Sequence, residues 1–235
     1  MKKNSQFSPF LSHLLQALFP ATCACCGDAL VSGERQICLN CLNDLDRTHF
    51  SLADNNPAEQ MLAGRVPYVA ATSLYHFRQG NTVRQAVHAM KFHSCTELCR
   101  LMGRQMGLQL LGSGRFDDVD LIVPVPLHWL RQLQRGYNQS ELLCRGIADV
   151  FPRPLDTTSL VRHRYTKQQS RQRGHQRTGN VEGAFRVRRP DALRGKHLLL
   201  VDDVLTTGAT LAACCDALLT VDGVRISVAT FCLAR

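Results

Sequence analysis

The segment from Leu198 to Thr210 combines residue types that could bind a phosphorylated sugar. An apolar run, Leu198–Val201, leads directly into Asp202 and Asp203 and then into a short turn, Thr206–Thr210. In an open parallel sheet, ligands bind beyond the carboxyl ends of the strands, where this turn would lie. Backbone N–H groups and hydroxyls at a helix start bind phosphate, and Gly208 permits a close approach.

The two adjacent carboxylates further limit the class of ligand that this segment could bind. Beside a phosphate site, Asp202 and Asp203 would repel a polyphosphate unless they accept hydrogen bonds from sugar hydroxyls or act through a divalent cation. The combination therefore predicts a ribose 5-phosphate site, with both carboxylates exposed at the strand end. The alternative is a strand–turn–helix whose Asp and Thr residues only cap the helix.

Four cysteines near the start of the chain have the spacing of metal ligands. Two CxxC pairs, separated by eleven residues, comprise Cys23, Cys26, Cys38 and Cys41. Each pair can place two thiolates on one tetrahedral ion, and four thiolate ligands favour a closed, structural zinc site, a zinc knuckle. Cys25 is interpreted as a bystander, although it could replace Cys23 in a looser site. A redox dithiol is the rival interpretation.

A second apolar run, Leu121–Leu127, ends in a proline-rich turn that basic residues follow. Val125 and Pro126 lie in the turn, and Arg131 and Arg135 come shortly after it. Because proline has no N–H, the remaining N–H groups and the arginines would supply the positive potential for an anion. From composition alone, a strand end followed by a solvated basic helix explains the pattern equally well.

Alternating strands and helices would position these residues. The patterns predict strands over 68–77, 120–125, 198–201 and 225–231, and helices over 7–19, 82–92, 95–111, 138–150 and 208–219. This alternation is typical of a parallel, doubly wound α/β sheet. Asn55-Asn56-Pro57 is the predicted linker between residues 1–50, with the amphipathic helix and the cysteines, and an α/β domain over 65–235. Lys91, at a predicted helix end, either binds ligand or is favoured there by the helix dipole.

Charge and cysteine usage limit the class of partner and the compartment. The chain has 235 residues and a net charge of +9, and positions 61–235 carry 24 basic against 13 acidic residues, a net charge of +11. This excess favours an anionic partner, either a phosphorylated metabolite or nucleic acid. Eleven cysteines, an odd number clustered as CxxC pairs, indicate metal binding in a reducing compartment.

The start of the chain allows two interpretations. Lys2 and Lys3 followed by apolar residues resemble a secretory signal, but Ser12, His13 and Gln16 interrupt the apolar run. The apolar residues of this stretch instead recur with the period of an amphipathic helix. We expect a cytoplasmic protein without a membrane span, because no apolar run is long enough to cross a bilayer.

Three sequence blocks together resemble those of a known family. They are the CxxCG…CxxC module, the block VPVPL…RGYNQS over 123–140, and the block QQSR…RTGNV…AF over 168–185. With the two acids and the T-T-G-x-T turn, the chain resembles the type I phosphoribosyltransferases. Within them it is similar to the ComF family of competence-related proteins, in particular the enterobacterial GntX/YhgH branch. The resemblance extends from Cys23 to the C-terminus.

The resemblance implies that the ligand is 5-phosphoribosyl 1-diphosphate (PRPP), bound together with Mg²⁺. Asp202 and Asp203 would then bind the ribose hydroxyls, and Val125 and Pro126 would lie against the diphosphate. The 5′-phosphate would be held by the turn that comprises Thr206, Thr207, Gly208, Ala209 and Thr210. In a phosphoribosyl transfer, Arg131 and Arg135 are the candidates for neutralising the leaving group.

The resemblance further implies a role in the cytoplasmic handling of external DNA, or DNA used as a nutrient. Single-stranded DNA and a DNA-translocating protein are the implied partners, and a link to gluconate metabolism also attaches to the enterobacterial branch. The segment 162–189 contains nine basic residues and one acid, and it is either a mobile hood over the substrate, a DNA-contacting surface or a solvated loop. Because no nucleobase pocket can be identified from the sequence, a non-catalytic nucleic-acid- or protein-binding module regulated by PRPP is the alternative function.

Overall fold

The computed structural model describes residues 21–92, 95–163 and 183–234. The strands in chain order are β1 (Ala71–Phe77), β2 (Leu121–Pro124), β3 (Leu160–Arg162), β4 (Phe185–Val187), β5 (His197–Leu205) and β6 (Arg225–Ala234). The helices are α1 (Leu39–Asn43), α2 (Pro57–Leu62), α3 (Thr82–Phe92), α4 (Thr96–Leu111), α5 (Trp129–Arg135), α6 (Gln139–Ala148) and α7 (Ala209–Leu218). Within these ranges, four strands form a parallel sheet in the order β1–β6–β5–β2.

Helices cover both faces of this sheet, which confirms the predicted parallel, doubly wound architecture. Along β5, Leu199 and Val201 join a hydrophobic cluster with the buried faces of α3, α4 and α6. Leu198 and Leu200 point to the opposite side and join a second cluster with α2 and α7. Because side chains alternate along a strand, an unbroken apolar run such as this one indicates a strand that is buried on both faces.

Glycines allow α4 and α6 to approach closely. A Cβ on Gly103 would lie 2.2 Å from the carbonyl oxygen of Leu143, and one on Gly146 would lie 2.1 Å from that of Arg100. Neither position can therefore carry a side chain without a shift of the backbone. This close packing fixes α6, whose first turn lies at the carboxyl edge of the sheet.

Most predicted elements are found within a few residues of their predicted bounds, but β5 is longer than predicted. The helices predicted over 82–92, 95–111 and 208–219 correspond to α3, α4 and α7. Strand β5 continues through both acids, with Asp202 opposite Thr230 and Val204 opposite Cys232 of β6. The two acids therefore belong to the strand itself rather than to the turn after it.

The interpretation of Asn55-Asn56-Pro57 as a linker is wrong. Asn56 is buried and caps α2 in a reciprocal arrangement with Glu59. Its Nδ2 also donates to the carbonyl of Ala71 in β1 at 2.9 Å. The polar residues of this segment cap the helix and contact the sheet. The division into residues 1–50 and 65–235 stays a prediction, and Cys23 and Leu45 belong to the same hydrophobic cluster as α3 and α4.

Two other predictions fall wholly or largely outside the described residues. They concern the amphipathic helix over 7–19 and residues 164–182 of the basic segment. The ends of that segment are described, and they pair as the antiparallel strands β3 and β4. Every helix in the described ranges is too short or too polar to span a bilayer.

Candidate functional site

The turn after β5 is built closely around a glycine. Gly208 has a φ of +76° and precedes α7, and a Cβ added to it would lie 3.0 Å from Leu62 of α2. Both the left-handed backbone and the close contact favour glycine at this position. Arg65 donates a hydrogen bond to the carbonyl of Thr207, which attaches the turn to the segment after α2. Together, these contacts hold the start of α7 beside the two acids.

A cavity of about 340 Å³ opens at this edge of the sheet. Eight of the predicted site residues line it: Val125, Pro126, Arg131, Arg135, Asp202, Asp203, Thr206 and Thr210. Thr207, Gly208 and Ala209 belong to the same turn but do not line the cavity. Residues that were predicted separately, after β2 and at the end of β5, are thus brought to one site, because the carboxyl ends of parallel strands meet at the same edge.

The prediction that both carboxylates lie exposed is wrong. Lys91 at the end of α3 lies with its Nζ 2.9 Å from Asp203 Oδ2, and the Asp203 side chain is only 16% exposed. Ser140 in the first turn of α6 donates to Asp202 Oδ1 at 3.0 Å, and the backbone N–H of Asp203 donates to the same oxygen. The acids are enclosed because β5 continues past them and two helices contribute partners from one side.

The electrostatic environments of the two acids differ. Burial, followed by repulsion from Asp203, raises the pKa of Asp202 to about 7, against an ordinary value of 3.8. Hydrogen bonds from the Asp203 N–H and Ser140 act in the opposite direction but do not offset the burial. Asp203, in contrast, has the ammonium of Lys91 beside it. The site therefore holds one carboxylate with a cationic partner and one that readily takes up a proton.

The turn after β2 offers fewer free backbone donors than the sequence suggests. The N–H of Val125 already donates to the Val201 carbonyl at 2.8 Å, and the Val125 carbonyl accepts from Asn138 Nδ2 at 3.0 Å. Arg131 and Arg135 of α5 line this side of the cavity and supply positive charge. The Nη1 of Arg135 also donates to the side-chain oxygen of Gln139 at 3.1 Å, which connects α5 to α6.

Further lining residues come from α3, β3 and α6. Lys91, for which a ligand role and a helix-dipole role were both open, lies in the cavity. Arg162 of β3 also lines it, and burial lowers the pKa of its guanidinium. Gln139 is 2% exposed, and its Nε2 has no hydrogen-bond partner among the described residues. The RGYNQS block contains Gln139 and Ser140 and could have indicated both, and Arg162 is the first residue of the basic segment for which a hood over the substrate was one interpretation.

The four predicted metal-ligating cysteines are brought together at one point. All Sγ atoms of Cys23, Cys26, Cys38 and Cys41 lie within 4.8 Å of one another. The Cys26 and Cys38 sulfurs are 3.8 Å apart, which equals the separation of about 3.8 Å that Zn–S bonds of about 2.3 Å give in a tetrahedron. The site therefore fits a zinc ion, and Cys25 is not a member of the cluster.

Backbone N–H groups surround the Cys23 sulfur in this cluster. The N–H groups of Cys25 and Cys38 lie 3.4 and 3.3 Å from it. Burial opposes the thiolate, but hydrogen bonds from the backbone of Cys26, Cys38 and Cys25 outweigh it and lower the pKa of Cys23 to about 6. Burial raises the pKa of Cys25 to about 12. The arrangement therefore favours a thiolate at a cluster position and a thiol at the neighbouring Cys25.

Comparisons with known proteins agree with the motifs. The family model described as phosphoribosyl transferase domain matches residues 139–235. DNA utilization protein YhgH of Escherichia coli is 34% identical over 152 residues, which cover 63% of this chain and 65% of that protein. Competence protein F of Haemophilus influenzae is 33% identical, with 53% and 56% covered, and competence protein ComFC of Bacillus subtilis is 34% identical, with 49% and 44% covered. The matched region thus spans less than two thirds of each of these relatives.

Similarity to solved structures is weaker. A hypoxanthine phosphoribosyltransferase from Trypanosoma cruzi aligns with a TM-score of 0.36 and 14% identity over 59% of this chain and 73% of that one. A hypothetical protein from Neisseria gonorrhoeae aligns with a TM-score of 0.35 and 15% identity over 57% and 66%. The relatives and the matched domain support the relationship that the motifs predict: over the matched residues the chain is similar to the ComF-family proteins and to the phosphoribosyl transferase domain.

Proposed function

We propose that the cavity binds PRPP together with Mg²⁺. The single observation that carries this proposal is the combination of acidic, hydroxyl and basic side chains in one cavity. Two carboxylates and two threonines of the turn line it together with Arg131 and Arg135 of α5. A ribose with a phosphate at one end and a diphosphate at the other needs hydroxyl acceptors between two anion sites. The cavity lining contains groups of each kind, which supports the proposal.

Each part of the ligand then has a partner. Asp202 and Asp203 would accept hydrogen bonds from the ribose hydroxyls, and Thr206 and Thr210 would hold the 5′-phosphate at the start of α7. The unpartnered, buried Nε2 of Gln139 supplies a donor that the described residues leave unused. Mg²⁺ takes oxygen ligands, so carboxylate and diphosphate oxygens suit it, and it would neutralise part of the diphosphate charge.

The reaction that this arrangement would support is transfer of the phosphoribosyl group. The bond between the anomeric carbon and the diphosphate oxygen breaks, the diphosphate leaves with the electron pair, and a nucleophile forms the new bond to carbon. Arg131, Arg135 and Arg162 would stabilise the leaving charge. The acceptor is not identified by the described residues, so a PRPP-regulated binding protein without catalysis is the second candidate.

Calorimetry tests the PRPP proposal. We expect Mg²⁺-dependent PRPP binding that the double variant Asp202→Asn/Asp203→Asn abolishes, because amides cannot replace two carboxylates toward hydroxyls and a cation. Asp216→Asn is the matched control, since Asp216 is an exposed acid on α7 outside the cavity. Equal affinity in the double variant contradicts the assignment. Diphosphate release with a panel of bases and nucleosides then separates an enzyme from a binding protein.

We also propose that the protein acts in the cytoplasm in the use of external DNA, with a structural zinc ion in its cysteine cluster. The names of the relatives support the DNA role, and the net charge of +11 over residues 61–235 suits an anionic polymer. All eleven cysteines are free, which suits a reducing compartment. The partners would be single-stranded DNA or a protein that translocates it.

The DNA proposal is tested by the salt dependence of binding. Each phosphate contact on a single strand contributes about 0.7 to the slope of log affinity against log salt concentration. The variant replaces three arginines of the basic segment, Arg171, Arg173 and Arg177, by alanine. We expect a flatter slope with unchanged zinc content. Absence of binding at low ionic strength, or binding that does not change with salt, would mean that these arginines do not contact DNA.

A further inference from the structure

A second cavity adjoins the first one on the side of α5. It measures about 240 Å³ and is lined by Lys91, Phe92, Arg131, Gln134 and Arg135. Three of these residues, the two arginines and the lysine, also line the first cavity. The same cations thus face both cavities, and none of the described residues that line the second one is acidic.

An aromatic ring held in place forms one wall of this second cavity. Phe92 is 63% exposed, and two side chains contact its ring. The guanidinium of Arg135 lies 5.6 Å from its centroid, and the ring of His88 lies 4.8 Å away at 41°. A single exposed phenylalanine is common on protein surfaces. This one differs because it stands among cations, at a cavity, and next to a predicted sugar-phosphate site.

We infer that this second cavity binds a nucleotide unit, a nucleobase together with its adjoining phosphate, in competition with PRPP. The base would stack on Phe92 and the Arg135 guanidinium, surfaces that accept any base. The amide of Gln134 can hydrogen-bond to a base edge, and Lys91 and Arg131 would hold the phosphate. The inference deepens the proposed function and rests on it, because the competition arises from the cations shared with the diphosphate.

Competition follows from the charge count. Lys91, Arg131 and Arg135 provide three positive charges, and Lys91 already faces Asp203. A diphosphate and a nucleotide phosphate on these same groups repel one another across a short distance. Each ligand should therefore raise the apparent Kd of the other by the same factor, since coupling between binding sites is reciprocal. The free nucleotide and the terminal nucleotide of a single strand share the chemistry that the cavity would recognise.

Titration of the full chain with defined probes tests the inference. The probes are deoxyadenosine 5′-monophosphate, a 5′-phosphorylated oligodeoxyadenylate, inorganic phosphate and adenosine. We expect both nucleotide probes to bind more tightly than phosphate or adenosine. Phe92→Ala should weaken them about fivefold or more, which corresponds to the loss of one stacking contact. Phe92→Tyr should restore binding, and PRPP affinity should stay within about twofold of the wild type in both variants.

Trp129→Ala is the matched control, because Trp129 is an equally exposed aromatic of α5 that does not line the cavity. If the oligonucleotide binds, the mononucleotide does not, and Phe92→Ala abolishes the binding, the result supports the site and identifies a DNA strand as the source of the nucleotide. Any one of three results overturns the inference. Phosphate binds as tightly as the mononucleotide, Phe92→Ala has no effect on nucleotide binding, or saturating nucleotide leaves PRPP affinity unchanged. PRPP binding without nucleotide binding refutes this inference alone, whereas nucleotide binding without PRPP binding refutes the proposed function.

Discussion

Replacement of Asp202 by asparagine should make the protein more stable at alkaline pH. Asp202 has a pKa raised to about 7 from 3.8, mainly by burial and then by the charge of Asp203. One pKa unit corresponds to about 1.4 kcal/mol, so the ionised form costs at most about 4 kcal/mol of folding free energy. Because the residue is partly exposed and its titration depends on its neighbour, we expect a gain of about 1–3 kcal/mol.

The direction of the pH dependence follows from proton binding. Since the folded state has the higher pKa, it binds more protons than the unfolded state between about pH 4 and pH 7. Stability of the wild type therefore falls as pH rises through this window, and the full cost is present above pH 7. Asparagine carries no charge, and its Oδ1 can still accept from the Ser140 hydroxyl and the Asp203 N–H. The variant should thus equal the wild type near pH 4 and exceed it at pH 8.

Urea unfolding at pH 4, 6 and 8 measures this difference. Asp203→Asn is the control, because it removes the partner of Lys91 and should produce no comparable gain. PRPP affinity should be lost in Asp202→Asn, so that stability and binding change in opposite directions, as is common at functional sites. The reasoning is refuted if Asp202→Asn gains the same stability at every pH, or none at pH 8.

Three further results are expected. PRPP should bind more tightly, and with less proton release, as pH rises from 6 to 8, because protonated Asp202 must lose its proton; calorimetry in buffers of different ionisation enthalpy measures both. Cys26→Ser should lose the zinc that elemental analysis finds in the wild type, whereas Cys25→Ser, outside the cluster, should retain it; equal zinc in both variants contradicts the ligand set. Gly146→Ala should cost at least about 1–3 kcal/mol by overpacking, whereas Gly112→Ala, with no atom closer than 3.5 Å, should be nearly neutral in chemical denaturation.

The sequence predicted those features that depend on short stretches of chain. The apolar run of β5 followed by two acids and a glycine-containing turn indicated both a buried strand and a ligand site. The bounds of α3 and α4 could be predicted because turn-forming residues stand before and after them. The two CxxC pairs indicated their cluster because metal-ligand spacing is itself a local property.

Features that depend on packing between distant segments could not be predicted. The partly buried state of Asp202 and Asp203 results from α3 and α6, which bring Lys91 and Ser140 to the acids. Arg162 of β3 lines the cavity, but its basic segment was equally compatible with a DNA-contacting surface or a solvated loop. We interpreted the segment at Asn56 as a linker because helix caps and loops contain the same polar residues. Only its contact with β1 shows that it is a helix cap within the fold.

Helix α3 connects the cysteine cluster to the cavity at the end of β5. Asp44, three residues after Cys41, accepts a hydrogen bond from the hydroxyl of Thr82, the first residue of α3. Lys91, near the other end of this helix, contacts Asp203. Eleven residues of helix span about 16 Å, and the buried face of α3 shares one hydrophobic cluster with three of the four cysteines. A metal that orders the cysteines would also fix the start of α3, and a rigid helix would carry that constraint to Lys91. A zinc ion bound at a distance from the cavity would therefore stabilise the position of Lys91 beside Asp203.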